Sequence, residues 1–496
     1  MSDNRRSSAK ILAFKYKLFD MYKNIVNSTV ISVTLSCTLV ILHILPFSAF
    51  LVFFRDSFIA ENIPANILTA IKFLLPHKLL GTVSFLNIAI IFGSIVLILS
   101  AYVFLFIVNI IWRKKAGLYR VYGYMSYIVN YGLFLPIISF MLGIIILGTN
   151  QRLVTDLLFR IASGIMLIAF LGGSMLDNEL LISYYFNTKN KLARCPDFKM
   201  IYIKLTGFLL IVFDCLTQET IDGSITIAIN LVASGFLFTY ICIKGPFYDN
   251  SVLLATIYAF FIYLWFSLVC FAATILNVSM IQNGYIVLLI IGAVFSLWVV
   301  IRYRNYGRFK LFQKSIIDLD SPIEADKLLR YLYQLIESAK KSKSDDIILA
   351  ATIQLHFQSC RDDECVCKDR KLSFNPLLLQ YTNMRDPAFH DDIFLKNIVL
   401  SIAKQALEKF KDSQLINLNY ILVQLELLGN IPQCTSAITQ FDSKFKTDMN
   451  IFYQFTIYNS RMFVGKILKK IVLNKGQQMV NYENIKTYDK LMDTAK

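Results

Sequence analysis

His356 and Cys360 stand four residues apart in the run LHFQSCRDDECVCK, and Cys365 and Cys367 follow within the next seven positions. On a helix, residues four apart project from one face, and cysteines in the turn beyond can fold back toward them. Imidazole and thiolate are ligands that zinc prefers, and a Cys₃His set closes a tetrahedral structural site. The spacing H-x₃-C-x₄-C-x-C is not that of a standard finger, so plain packing of His356 and Cys360 at a helix end, with Cys367 exposed, is the competing expectation. A disulfide is disfavoured on the reducing, cytosolic side of a membrane. Asp362, Asp363 and Glu364 oppose a reactive low-pKa thiol, because negative neighbours disfavour thiolate.

A second set of chemical residues lies within apolar sequence. His43 stands three residues before Pro46, Asp214 sits near the end of another apolar segment, and Asp156 and Arg160 open a third. An ionisable group at mid-membrane costs about 2.5–3.5 kcal/mol even on a lenient scale, so such residues point to an ion or proton path. The alternative expectation pairs Asp214 with Arg160 near the headgroups and has His43 bond a backbone group at the proline kink.

Both sets need positioning elements, and composition says what these are. Of the 496 residues 56% are hydrophobic, and the mean hydropathy is +0.55, beyond the range of a soluble domain. Crossing the hydrocarbon core takes about 20 mainly apolar residues in a helix, since unpaired backbone in lipid costs several kcal/mol per group. Eight stretches fit, at 30–54, 83–112, 123–148, 156–176, 201–216, 222–243, 251–275 and 283–302. With the N-terminus in the cytosol, about twenty Lys and Arg fall on inner loops, against Arg55, Lys72, Lys78 and Arg152 outside. Residues 1–29 then form a basic cytosolic N-terminus, 30–302 a transmembrane bundle and 303–496 a cytosolic domain. The net charge of +16 therefore reads as topology and attraction to anionic lipid rather than nucleic-acid binding.

From about residue 303 charges return and apolar residues take helical spacing. Asp320, Ser321 and Pro322 mark a helix start, and Leu328, Leu329, Leu332 and Leu335 share a face of the helix that follows, to about 339. Further helices are expected at 345–359, 391–411, 414–429, 433–445 and 449–472. Gly429-Asn430 supplies a left-handed stop, Pro432 opens the next helix, and Ala437 is small where the two helices meet. Antiparallel pairs of this size are what tetratricopeptide-like (TPR-like) repeats stack. The expected fold is all-α: a polytopic membrane bundle followed by a TPR-like helical domain.

The run LHFQSCRDDECVCK resembles the signature L-H-x-x-x-C-x-x-x-x-C-P-L-K of the tiny-macrocysts-protein-B-like (TmcB/TmcC) family, multi-pass membrane proteins abundant in ciliates. Leu355, His356, Cys360, Cys365 and Lys368 match it, while Val366 and Cys367 replace Pro-Leu. The stretches DIFLKNIVLSIAKQALEKFKDSQLINLNYILVQLELLGNIPQCTSAI and MNIFYQFTIYNSRM are similar to that family's repeat helices. The resemblance implies spans followed by helical repeats, and of the metal ligands it implies His356, Cys360 and Cys365 alone.

No phosphate loop, H-E-x-x-H, G-x-S-x-G or dinucleotide fingerprint occurs, and four histidines leave little scope for His-based catalysis, so no enzyme is expected. The leading expectation is a membrane scaffold or sensor whose cytosolic repeats bind a protein partner. Its rival is an ion channel or transporter with a regulatory cytosolic domain, resting on His43, Arg160 and Asp214.

Overall fold

The computed structural model describes residues 2–51, 71–80, 83–111, 116–149, 153–181, 190–193, 199–217, 223–245, 247–276, 291–302, 318–338, 392–445 and 449–474, with isolated positions including His356 and Cys360. Regular structure among the described residues is helical. Two compact units divide the chain, one made chiefly of Asp20–Ser183 and Lys189–Arg302, the other of Met1–Phe19 and Tyr303–Lys496.

Helix α1 (Ser2–Ser28), which belongs to the first unit only from Asp20 on, leads to α2 (Val33–Phe50), whose N-cap Ser32 accepts a bond from the Leu35 amide at 3.3 Å. A short 3₁₀ turn, Pro76–Leu79, precedes α3 (Phe85–Ile111). Then come α4 (Ala116–Tyr127), one wide turn (Ile128–Gly132), α5 (Phe134–Leu147), α6 (Leu153–Leu180), α7 (Met200–Thr217), α8 (Gly223–Lys244), α9 (Asn250–Leu276) and α10 (Ile291–Arg302).

Among the described residues six helices, α2, α3, α6, α7, α8 and α9, are long and apolar enough to cross a membrane, and a seventh span arises if the bent pair α4 and α5 is one crossing. This is a multi-pass membrane architecture. Side chains facing away from the bundle are apolar, with Ile168 75% and Leu97 72% exposed, as a lipid-facing surface requires. The segment expected at 283–302 is represented by the shorter α10, and 283–290 lie outside the described residues.

The third span is where regular geometry fails. Its two halves meet at 63°. The Leu133 amide reaches back five residues to the Ile128 carbonyl at 3.0 Å, the signature of a π turn. In that register the partner of the Tyr131 carbonyl would be Pro136, which has no N–H to give. Kinks in long helices have such causes, and the carbonyls they free must find other donors. At the far end of α5, Gly148 takes φ +81°, a left-handed conformation that closes the helix without a Cβ penalty.

In the second unit lie α11 (Pro322–Ser338), α12 (Asp392–Lys409), α13 (Gln414–Leu422) with a wide turn (Val423–Leu427), α14 (Ile431–Phe445) and α15 (Ile451–Asn474). Ser321 caps the Glu324 amide at 3.3 Å, and Glu324 reaches back to the Asp320 amide, also at 3.3 Å, forming a capping box at the expected start. Leu328, Leu329 and Leu332 are buried on one face. Gly429 has φ +63° and stops the helix pair as expected. Tyr16 of α1 stacks on Tyr458 at 5.6 Å, and Phe19 meets Phe455 edge-on at 5.3 Å. The helix expected at 345–359 lies outside the described residues apart from a helical His356.

Candidate functional site

The broken span contributes a row of buried polar groups to the membrane unit. Tyr119, Tyr122, Ser126 and Asn130 recur at three- and four-residue intervals, so they line one face of α4 and its turn, and all are buried. That face meets Asp177, near the end of α6, whose carboxylate is 1% exposed.

Asp177 accepts bonds from the hydroxyls of Tyr22, Tyr102 and Ser126, from Tyr122 at 2.9 Å, and from the Asn130 amide at 3.3 Å. Donors converging on a buried carboxylate replace the water it has lost. Lys204, from the first turns of α7 and 5% exposed, joins the same network through Asn130: the ammonium donates to Asn130 Oδ1 at 3.1 Å and Ser174 Oγ at 2.6 Å, and lies 4.1 Å from the Phe134 ring centre. A carboxylate and an ammonium thus share one buried network, which offsets part of the desolvation cost of each. Beside it is a cavity of about 10 Å³, room for roughly one water, lined by Ser126, Tyr127, Asn130, Tyr131, Asp177 and Asn178 among others.

A second charged cluster lies at the other end of α7. His77, in the 3₁₀ turn, is held between Ser139 (Nδ1 to Oγ, 2.6 Å) and Asp214 (Nε2 to Oδ2, 2.6 Å), and Lys78 donates to Asp214 Oδ1 at 2.9 Å. The order Ser–His–Asp resembles a nucleophile relay. Ser139, however, is fully buried and its hydroxyl also accepts the His77 amide at 3.3 Å, so both side chains are held inside the bundle. Lys204 and Asp214 are ten residues apart on one helix, about 15 Å along its axis, roughly half the hydrocarbon thickness.

These contacts correct two sequence expectations. Asp214 does not pair with Arg160; its partners are His77 and Lys78. Arg160 instead donates to Asp156 at 2.7 Å and to the Ile145 carbonyl at 2.9 Å, and Asp156 takes the Thr149 amide at 2.6 Å, which ties off the turn between α5 and α6. His43 bonds backbone as expected, but not at its own proline kink: Nδ1 meets the Tyr131 carbonyl of the π turn at 3.0 Å.

Of the His/Cys cluster, His356 and Cys360 are described and both are buried. The Cys360 sulfur receives the Gln405 amide at 3.3 Å, with Ser401 Oγ at 3.9 Å, a donor environment that suits a thiolate ligand as well as a packed thiol. Cys365 and Cys367 lie outside the described residues, and among those described no three metal-ligating side chains gather.

Asp177 and Lys204 were not reached from sequence. Asp177 falls one residue past the expected end of its span, where a charge reads as an ordinary terminus. The available signal was the Tyr119–Tyr122–Ser126–Asn130 stripe, polar at helical spacing inside an apolar segment.

Comparison with family models, with curated proteins and with solved structures finds no match.

Proposed function

We propose that the membrane unit moves protons across the bilayer, with the broken third span as its working element. The observation that carries this reading is a carboxylate and an ammonium, Asp177 and Lys204, buried among the spans and joined by Asn130 at the break of a helix. Packing alone needs no such pair, because each charge taken out of water carries a penalty of several kcal/mol. Irregular backbone at membrane depth marks the binding elements of transporters. Room for about one water beside Asp177 suits protons better than a solute.

This places the channel-or-transporter reading ahead of the scaffold reading that the sequence favours. The test is the full-length protein in phosphatidylcholine–phosphatidylglycerol vesicles holding a pH dye, with a potassium gradient and valinomycin to set the potential. Proton uptake well above that of empty vesicles, abolished by Asp177→Asn, supports the proposal. Uptake no faster than in empty vesicles overturns it.

The scaffold reading keeps a place for the C-terminal unit. Successive helices there bury Ala403, Ala406, Ala437, Phe452 and Phe455 against one another, in keeping with stacked repeats that bind a cytosolic protein partner and regulate the spans. On this reading His356, Cys360, Cys365 and Cys367 hold a structural zinc, and the chain is a relative of the tiny-macrocysts-protein-B-like family, with both termini in the cytosol.

A further inference from the structure

Asp177 stands three residues from the end of α6, and the cavity beside it is walled in part by two leucines from beyond that end, Leu181 and Leu192. Ser126, Asn130, Asp177 and Asn178 give the same cavity polar walls. A space of this size admits water when polar partners line it and stays dry when they do not. Leu192 is 3% exposed although it belongs to no helix.

The segment that carries Leu192, residues 190–193, is tied down on both sides. Asn190 donates from Nδ2 to the Tyr127 hydroxyl and accepts the Leu192 amide on Oδ1 at 3.0 Å, while Tyr127 gives its own hydrogen to the Leu181 carbonyl at 3.1 Å. The Ala193 carbonyl accepts the Tyr248 amide at 3.1 Å, and Lys191 pairs with Asp249 at 3.2 Å. Asp249 also accepts the Ser251 amide at 3.0 Å and the Val252 amide at 3.3 Å, so the residue that holds the segment starts α9 as well. Of these ties the ion pair is the weak one. The Lys191 side chain is 42% exposed, and exposed pairs hold little and are screened by salt.

We infer that Asp177 exchanges protons with the water at the end of the bundle where α6 stops and α9 starts, through this cavity, and that Leu192 is the stopper that limits the exchange. Local opening of segment 190–193 against its few ties lets water in. An excess proton on an entering water passes to an Asp177 oxygen, giving the neutral acid and a neutral water, and the reverse step restores the carboxylate. This route rests on the proton-moving reading above, whereas the entry of water can be measured without it.

The test uses the full chain, labelled with ¹³C-aspartate, in phosphatidylcholine–phosphatidylglycerol vesicles, and Asp177→Asn identifies the Asp177 signal. Solid-state NMR follows magnetisation from water to that carboxyl carbon. Leu192→Ala removes the stopper, and Asp249→Asn breaks the ion pair with Lys191 while keeping an oxygen for the α9 amides. Each should speed the transfer at least threefold over wild type. Transfer at the wild-type rate in both variants, or none in any of the proteins, overturns the route. In the proton-uptake assay each variant should raise uptake at least threefold. Wild-type uptake in both, with Asp177→Asn still inactive, overturns Leu192 as the stopper and leaves the proposed function standing. A wild type that takes up no protons overturns both.

Discussion

One amide joins Asp177 to Lys204. Asn130 donates to the carboxylate through Nδ2 at 3.3 Å and accepts from the ammonium through Oδ1 at 3.1 Å. It stands in the π turn where the third span bends, so a change of conformation there alters both contacts together. Asn130 thus bridges a buried carboxylate and a buried ammonium at the bend of the span.

Removing the carboxylate outright leaves the hydroxyls of Tyr22, Tyr102, Tyr122 and Ser126 without their shared acceptor. Asp177→Ala should destabilise the membrane unit by about 1–3 kcal/mol, the scale for leaving buried polar groups unsatisfied. Asp177→Asn, which keeps an acceptor oxygen, should cost less than half of that. Thermal unfolding in detergent, followed by tryptophan fluorescence, reads the difference.

Gly143 of α5 faces the 3₁₀ turn. A Cβ placed there would come within 2.6 Å of His77 Cβ and 3.1 Å of His77 Cα, and the backbone cannot swing aside as a side-chain tip would. Gly143→Ala should destabilise by about 1–3 kcal/mol and displace His77 from Asp214. Gly164→Ala, with nothing within 4 Å, should stay within about 0.5 kcal/mol of wild type in the same unfolding assay.

In the C-terminal unit Asp326 is fully buried and accepts from Arg330 at 2.9 Å and from Asn419 at 2.9 Å, linking α11 to α13. Asp326→Ala leaves a buried guanidinium without this carboxylate and should cost about 3–5 kcal/mol. Hydrogen exchange on the full chain should then speed up in α11 and α13 first.

Cys434 is fully buried in α14, and burial pushes its thiol up to about 12. Maleimide should label it only after denaturation. The unfolded chain releases this proton near the ordinary thiol range while the native state keeps it, so the unfolded state binds fewer protons and stability falls as pH climbs from about 9 to about 12. Cys434→Ala should flatten that part of the pH–stability curve.

A structural zinc on the His/Cys cluster would supply on the order of 10 kcal/mol of apparent folding energy, so chelation or Cys360→Ala should unfold the C-terminal helices. Packing alone would lose only about 1–3 kcal/mol in the same variant. Metal content of the purified chain and its helical signal in chelator decide between them.

The sequence made the scaffold legible because its elements are local. Ser321-Pro322-Ile323-Glu324 reads as a capping box and Gly429 as a left-handed stop, and apolar length alone marks α2, α3 and α6 to α9. The site is another matter, since it depends on which residues meet. Asp214 was visible as an ionisable residue in a span, but its partners come from a turn 136 residues earlier in the chain. Asp177 and Lys204 sit where charge is ordinary at span ends, and only the packing of α4, α6 and α7 turns them inward. The break at Gly132–Leu133 follows from Pro136, yet a proline in a span is common enough that its consequence, the freed Tyr131 carbonyl, emerges only with His43 in place.

The central claim is that the membrane unit carries protons. Planar bilayers containing the purified full-length protein, held at unequal pH, measure this most directly through the reversal potential of the current. The proposal predicts a current that Asp177→Asn abolishes and a reversal potential that follows the proton gradient by about 59 mV per pH unit. A wild-type membrane with no current above the bare bilayer, or a reversal potential indifferent to pH, would contradict it.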